Sequence, residues 1–418
     1  MIRMVHDLFL KTLSYEEVAS LIEEKIIIRP KIEKIPINHS LNRVLAADIS
    51  SSIDVPDFNR SLRDGFALIA AETFGADEDS PISLELIEEI QAGEIPSKSI
   101  KYGQCSRIAT GAPIPEGANA VVMVEFTEQK QNSIKIFKPA TPMQFITQKG
   151  TDIKKGQMIL KKNTVLFPKN QGTLAAIGFQ SVPVYEKPKV SILSTGNELL
   201  SATEPLTYGK IYDINAITLY NSVLESQGIP VEMGIAADEI GEIKSKLEEM
   251  IKLTELIVVT GGTSKGKGDL LPEIISNRTA NEFFIHGIRI QPGKPIIISS
   301  IKSNNSSIPI FILPGNPTSC LITYNLFVDP IIRKFTYYPL KQNKIIKAKL
   351  KQRIYSSEGR TVFQPMKITD SKAGELIIVP VQTGSESITT LSNADGYIKI
   401  PEDIQYLEEN EVVDFILF

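Results

Sequence analysis

Three short stretches each place glycine beside hydroxyl, amide or carboxylate side chains directly after an apolar run. They are Ser194-Thr195-Gly196-Asn197-Glu198-Leu199, the nine residues Gly261-Gly262-Thr263-Ser264-Lys265-Gly266-Lys267-Gly268-Asp269, and Leu313-Pro314-Gly315-Asn316-Pro317-Thr318-Ser319. Such loops can seat an anion: small residues free backbone N–H groups and let a ligand come close, hydroxyls donate, and lysine adds charge. Gly261 to Lys267 has the glycine spacing of a P-loop. A P-loop, however, needs Ser or Thr next to place a hydroxyl on Mg²⁺, and residue 268 is Gly. A failed nucleotide site, a plain turn and an anion loop of another kind all fit that stretch. Taken singly, each loop reads as an ordinary turn. Asp238 and Asp269 fit helix N-caps, and Lys265 and Lys267 fit solvated lysines.

The elements around these loops change that reading. From 187 to 335, short apolar strands alternate with amphipathic helices, the pattern of a parallel sheet covered on both faces. All three loops then fall on the rim at the carboxyl ends of its strands, where open α/β sheets bind ligands. Asn316 fits an N-cap and Pro317 the first helical position, so the positive end of that helix faces the loop. Lys294, in Gln291-Pro292-Gly293-Lys294-Pro295, can add a point charge. Asp238 precedes a stripe of Ile240, Ile243, Leu247 and Ile251 at helical spacing, and Ser14 fits the cap of a helix near the N-terminus. Residues 31–185 are rich in Pro, Gly and short β-type runs, and strand signals return from 340 to 418.

The chain of 418 residues predicts about three domains. A net charge of −4 argues against a nucleic-acid-binding protein. Two distant cysteines, Cys105 and Cys320, predict free thiols in a reducing compartment, and three scattered histidines argue against a zinc site. The absence of a long apolar run predicts no signal peptide and no membrane span, hence a cytoplasmic protein.

The four motifs STGNEL, GGTSKGKGD, QPGKP and LPGNPTS, in that order, resemble the molybdenum-cofactor-binding domain. Upstream, DVPDFNRSLRDGFAL (54–68), RIATGAPIPEGANAVVMVE (107–125) and KGTDIKKG (149–156) resemble the N-terminal half of the molybdopterin molybdenumtransferase family, which comprises MoeA and the E-domain of gephyrin. Ser264 and residues 1–185 favour this family over the related adenylyltransferase. The resemblance implies an elongated multidomain α/β protein. Residues 1–30 and 146–185 would form a linker domain and 31–145 an inserted β-rich domain. Residues 186–336 would form the doubly wound molybdopterin-binding domain and 337–418 a small β-barrel-like domain.

It also implies a reaction: adenylylated molybdopterin and molybdate give molybdenum cofactor and AMP, with Mg²⁺ present. Thr110, Thr195, Gly196, Gly261, Gly262, Ser264, Gly266, Lys294, Pro314, Gly315, Asn316 and Ser385 would bind the substrates. The carboxylates Asp64, Asp152, Glu198, Asp238 and Asp269 match family positions and would be catalytic. They either hold Mg²⁺ or accept hydrogen bonds from pterin N–H groups. Sequence does not divide the five between these tasks, and Glu198 and Asp269 are carried forward as the metal ligands. The family implies a homodimer with shared clefts. Molybdopterin adenylyltransferase and molybdoenzyme apoproteins are implied as further partners. A tungstate-inserting relative and a gephyrin-like scaffold are the alternatives. Two positions depart from the pattern: Gln291 stands where relatives often carry lysine, and Pro365 where some carry arginine. Lys294, Arg289 or Arg360 is expected to compensate.

Overall fold

The computed structural model describes residues 12–262, 270–277, 279–303, 306–341, 344–372, 375–381 and 387–418. Contacts divide the chain into two compact units, Lys34–Val184 and Met1–Glu33 with Tyr185–Phe418. The second unit opens with helix α1 (Tyr15–Lys25). Its cap is a full capping box: Ser14 Oγ accepts from Glu17 N at 3.2 Å, and Ser14 N donates to Glu17 Oε2 at 2.7 Å. Val18, Ile22 and Ile26 then fall on one face and pack into the same apolar cluster as Val190, Ile192, Leu256 and Val258. The stripe on α1 packs on the α/β core, and residues 146–184 pack with 35–55 through Leu45, Ile49, Ile153, Leu166 and Val182.

The α/β core runs β1 (Lys189–Thr195), α2 (Ile214–Glu225), β2 (Ile229–Ala236), α3 (Ile240–Leu253), β3 (Leu256–Thr260), α4 (Leu270–Ser276), β4 (Thr279–His286), β5 (Ile297–Ser303) and β6 (Ser306–Leu313). Spatial order in the sheet is β2-β1-β3-β6-β5-β4. In β3, Leu256 and Val258 enter one apolar cluster while Ile257 and Val259 enter the other. Side chains alternate along a strand, so a continuous apolar run is what a sheet buried on both faces requires. The sheet is not wholly parallel as the sequence predicts. β2, β1, β3 and β6 are parallel, whereas β5 runs antiparallel to β6 and β4. Only residues 304 and 305 separate β5 from β6, too few for a crossover, so the chain must reverse. The expected N-cap at Asp238 also shifts by one residue: α3 begins after Glu239, which makes no side-chain cap bond, and Asp238 N donates to Asn197 Oδ1 at 3.2 Å.

After β6 comes one unbroken helical run: α5 (Pro317–Thr323), a π-helical turn (Tyr324–Val328) and α6 (Asp329–Thr336). The barrel follows with β7 (Ile345–Leu350), β8 (Thr361–Lys372), β9 (Glu375–Pro380), β10 (Gly396–Ile400) and β11 (Val412–Leu417), closed because β10 pairs with both β11 and β8. A two-residue strand, Ile290–Gln291, pairs in parallel with the start of β8, Ile290 with Thr361 and Gln291 with Val362. It thereby ties the barrel to the Gln291–Pro295 loop.

The unit Lys34–Val184 holds a six-stranded sheet between Gly65 and Ile136, filled by Phe66, Leu84, Val122 and Ile134. Both cysteines are buried free thiols, as expected. Burial pushes Cys105 up to about 12 and Cys320 further still, so neither is a nucleophile at neutral pH.

The helical run is anchored at its far end by a buried ion pair. Arg333 Nε lies 2.8 Å from both carboxylate oxygens of Asp329, Ser226 Oγ donates to Asp329 Oδ1 at 2.6 Å, and Arg333 Nη1 donates to Pro339 O at 3.1 Å. Replacing Arg333 by Met strands a buried carboxylate, which typically costs about 3–5 kcal/mol. Urea titration of Arg333→Met is expected to show a loss of that size.

Candidate active site

The ends of β1, β3 and β6 are held against one another by backbone geometry. Gly196 N donates to Ala236 O at 3.3 Å, and Gly261 N donates to Leu313 O at 3.1 Å. Thr195 is 3% exposed and its Oγ1 donates to Thr260 O at 3.2 Å. Gly261 has φ +91°, and a β-carbon on it would stand 2.3 Å from Thr195 O. Only glycine fits there, because a side chain meets both left-handed strain and a backbone oxygen. A β-carbon added to Gly315 would stand 3.8 Å from Gly261 Cα. Asn215 Nδ2 donates to Gly315 O at 2.8 Å, so helix α2 fixes the third loop.

These loops line a cavity of about 620 Å³ with Thr195, Glu198, Lys210, Asp213, Gly261 and Asn316 on its walls. The Glu198 carboxylate lies over Gly196, where an added β-carbon would come within 2.7 Å of Oε1. A short parallel ladder, Leu199 with Ile211 and Leu200 with Tyr212, brings Asp213 to the same cavity. Asp213 caps α2 by accepting from Ala216 N at 3.1 Å through Oδ1, while its Oδ2 is buried and has no hydrogen-bond partner among the described residues. An orphaned carboxylate oxygen invites a donor or a cation. Lys210 Nζ donates to Asn197 O, which keeps its charge at the rim.

A second cavity, of about 510 Å³, lies against the barrel. Gln291, Lys294, Pro314, Asn316, Thr318 and Arg360 are among its lining residues. Asn316 borders both cavities. It stands at the N-cap position of α5 as expected, but without a side-chain cap bond. Of the three candidates to replace the missing lysine, Arg289 does not line this cavity. Its Nε pairs with Glu402 at 3.1 Å, its Nη1 donates to Thr12 O at 2.6 Å, and its Nη2 lies 3.9 Å from Glu17. Lys294 and Arg360 remain.

The structure thus gathers Thr195, Glu198, Gly261 and Asn316 at one cavity and Lys294, Pro314 and Asn316 at the other, with Gly196 and Gly315 as their backbone supports. Asp238 is exposed and sits beside Asn197 without lining the cavity. Ser264, Gly266, Asp269 and Ser385 lie outside the described residues. Gly262, the last described residue before that gap, has φ +59°. The unit Lys34–Val184 carries its own cluster: Thr110 N donates to Asp64 Oδ1 at 2.8 Å. Ile146–Thr147 pairs with Arg60–Ser61, and Ser61 N donates to Ala112 O at 3.0 Å, so three distant motifs share one surface. Asp152 is tied to it by Asp152 N to Val55 O at 3.0 Å. Asp213 and Thr318 were not expected from sequence. An Asp two residues before an Asn at the head of an apolar helix is the signal that could have found Asp213.

Three family models match in chain order. The MoeA N-terminal region (domain I and II) covers residues 13–178, a probable molybdopterin binding domain 191–334, and the MoeA C-terminal region (domain IV) 347–418. A molybdopterin molybdenumtransferase of Bacillus subtilis is 34% identical over 92% of this chain and 89% of its own. Molybdopterin molybdenumtransferase 2 of Mycobacterium tuberculosis is 30% identical over 88% and 91%. The crystal structure of a molybdopterin biosynthesis MoeA protein from Pyrococcus horikoshii superposes with a TM-score of 0.83 at 37% identity, covering 97% of this chain and 99% of that one.

Gly261→Ala is expected to cost about 1–3 kcal/mol, the usual range for a residue forced into a poorly populated backbone region. Gly209 also has a positive φ, +82°, but open space around it. In urea titration Gly209→Ala should lose less, and equal losses would show that the contact with Thr195 O does not constrain the loop.

Proposed function

This chain belongs to the MoeA family and acts in molybdenum cofactor biosynthesis, and from that premise we propose that it inserts molybdate into adenylylated molybdopterin with release of AMP. One observation carries the reading: two cavities of different chemistry meet at Asn316. One offers carboxylates and glycine-rich backbone, the other lysine and arginine.

In this account the first cavity takes the phosphates. Beyond the bonded amides of Gly196 and Gly261, the backbone N–H of Gly262 donates to a phosphate oxygen, and Lys210 offsets the charge at the rim. Carboxylates repel phosphate unless a cation stands between them. Glu198 and the orphaned Oδ2 of Asp213 suit Mg²⁺, which uses one or two carboxylates together with substrate oxygens and water. Asp269, the other metal candidate from the sequence, is the remaining ligand we assign. When bound, Mg²⁺ supplies charge neutralisation on the anhydride phosphates. Thr195, held by Thr260 O, fixes the turn that meets them.

The second cavity takes the oxyanion. Lys294 and Arg360 draw it in and hold it beside the pterin's sulfur atoms; oxygen displaced from molybdate as the metal–sulfur bonds form leaves as water or attacks the anhydride phosphorus, and AMP departs. Asp64, Thr110 and Asp152 complete the substrate site as part of a homodimer in the same proposal. The hydrogen bond from Thr110 N orients the Asp64 carboxylate as an acceptor.

The test is AMP release from adenylylated molybdopterin on addition of molybdate and Mg²⁺. Wild type should release one AMP per cofactor formed, and Glu198→Gln should be slower by about a hundredfold, the scale for losing one preorganised electrostatic group. Mixing Glu198→Gln with Asp64→Asn protein should restore partial activity if subunits share sites. Wild-type turnover in Glu198→Gln would contradict the assignment.

A further inference from the structure

Within the unit Lys34–Val184, residues 54–61 run between the loops that carry Thr110 and Asp152. Toward the first loop, Ile114 N donates to Asn59 O at 2.9 Å, Gly111 N donates to Ser61 O at 2.8 Å, and Arg60 bridges Pro113. Toward the second, Gly150 N donates to Pro56 O at 2.8 Å and Asp152 N to Val55 O at 3.0 Å. These bonds join backbone atoms, which a change of side chain leaves in place. Asn59 adds one that a substitution can remove: its Oδ1 accepts from Lys149 N at 2.9 Å. The bond answers a need of the turn. Gln148 O accepts from Thr151 N at 3.2 Å, so Lys149 and Gly150 are the central residues of a β-turn, Gly150 with φ +69°. The N–H of the second turn residue has no partner inside the turn and must find one elsewhere. Gly150 is confined as well: a β-carbon on it would stand 3.2 Å from Asp54 Oδ1, which accepts from Lys155 N at 2.8 Å. Asp152 follows directly after this turn.

We propose that Asn59 is a positioning residue for the reaction: by holding Lys149 N it sets where the Asp152 carboxylate stands relative to Asp64 and Thr110. The inference rests on the metal-insertion reading, in which those three residues belong to the substrate site. The carbonyl of Asn59 holds Ile114, four residues beyond Thr110, and Asp64 Oδ1 accepts from Thr110 N at 2.8 Å. Two oxygens of one residue thus join the loops that serve both carboxylates. Asn59, Lys149 and Asp152 are all exposed. A hydrogen bond in that setting adds little to the stability of the fold, because water takes either partner when it is lost. What it fixes is direction. A carboxylate that must meet a substrate group is sensitive to a displacement of about 1 Å, which can cost about a hundredfold in rate. Loss of the Asn59 acceptor therefore gives a slow enzyme that folds normally.

Asn59→Ala removes the acceptor, and Asn59→Asp keeps one, since a carboxylate oxygen accepts as the amide oxygen does. In the full chain, kcat for AMP release should fall about tenfold or more in Asn59→Ala and recover most of that in Asn59→Asp, with the urea midpoint unchanged in both. The decisive readout is a double-mutant cycle with Asp152→Asn. If Asn59 acts through Asp152, adding Asn59→Ala to Asp152→Asn costs no further rate. Additive losses, or wild-type turnover in Asn59→Ala, overturn the proposal. Deuterium uptake at the Lys149 amide provides a measurement independent of activity. Uptake should quicken in Asn59→Ala and not in Asn59→Asp, and unaltered uptake in Asn59→Ala also overturns the proposal. The outcomes separate this inference from the reading beneath it. No AMP release by wild type would sink metal insertion and this role with it. Wild-type turnover in Asp152→Asn would remove Asp152 from the site, and the positioning role with it. Normal release by wild type with additive losses in the cycle would sink this inference alone.

Discussion

The arrangement of the site depends on one hydrogen bond, from Asn215 Nδ2 to Gly315 O at 2.8 Å. Gly315 lies in the loop that separates the two cavities, and Asn215 lies in the first turn of α2, two residues after the cavity residue Asp213. The bond therefore couples the carboxylate wall of one cavity to the partition between both. Gly261 closes the same junction from β3, through Leu313 O and its close approach to Thr195 O. Loops made of glycine and proline gain ligand access at the expense of definition. Here the definition comes from a side-chain amide and two backbone bonds, Gly196 N to Ala236 O and Gly261 N to Leu313 O.

Arg289 plays the matching part at the barrel. Its guanidinium joins Glu402, Glu17 and Thr12 O, and its backbone joins Leu13 O and Thr361 N. One of the three alternatives that the sequence offered for the oxyanion instead builds the wall that presents Arg360. The exposed contacts in this clasp contribute little individually. Their value is positional, because they fix where β8 begins.

Much of this was legible in the chain. Strand-end loops could be placed because apolar runs buried on both faces are unambiguous when they alternate with amphipathic helices, as Leu256–Thr260 and Ile240–Leu253 do. The Ser14 cap and the return of strands after residue 340 were equally plain, although the longest barrel strand, β8, was not read. Other features were hidden for physical reasons. The reversal of β5 depends on a connection of two residues rather than on periodicity. Asp213 reads as a cap, and is one, but only burial shows that its second oxygen has no partner. Thr318 looks like any threonine after Asn-Pro. Arg360 cannot be told from Arg289 in sequence, since what separates them is whether carboxylates already hold them. That α1 covers the α/β core was not legible, because an amphipathic stripe does not name the surface it covers.

The central claim is that carboxylate-lined and cation-lined cavities adjoin at Asn316 and keep their ligands apart. Crystals soaked in molybdate, with diffraction recorded at the molybdenum absorption edge, test it most directly. The account predicts one anomalous peak within reach of Lys294, Arg360 and Thr318. A peak instead beside Glu198 and Asp213, or no peak in either cavity at saturating molybdate, would contradict it.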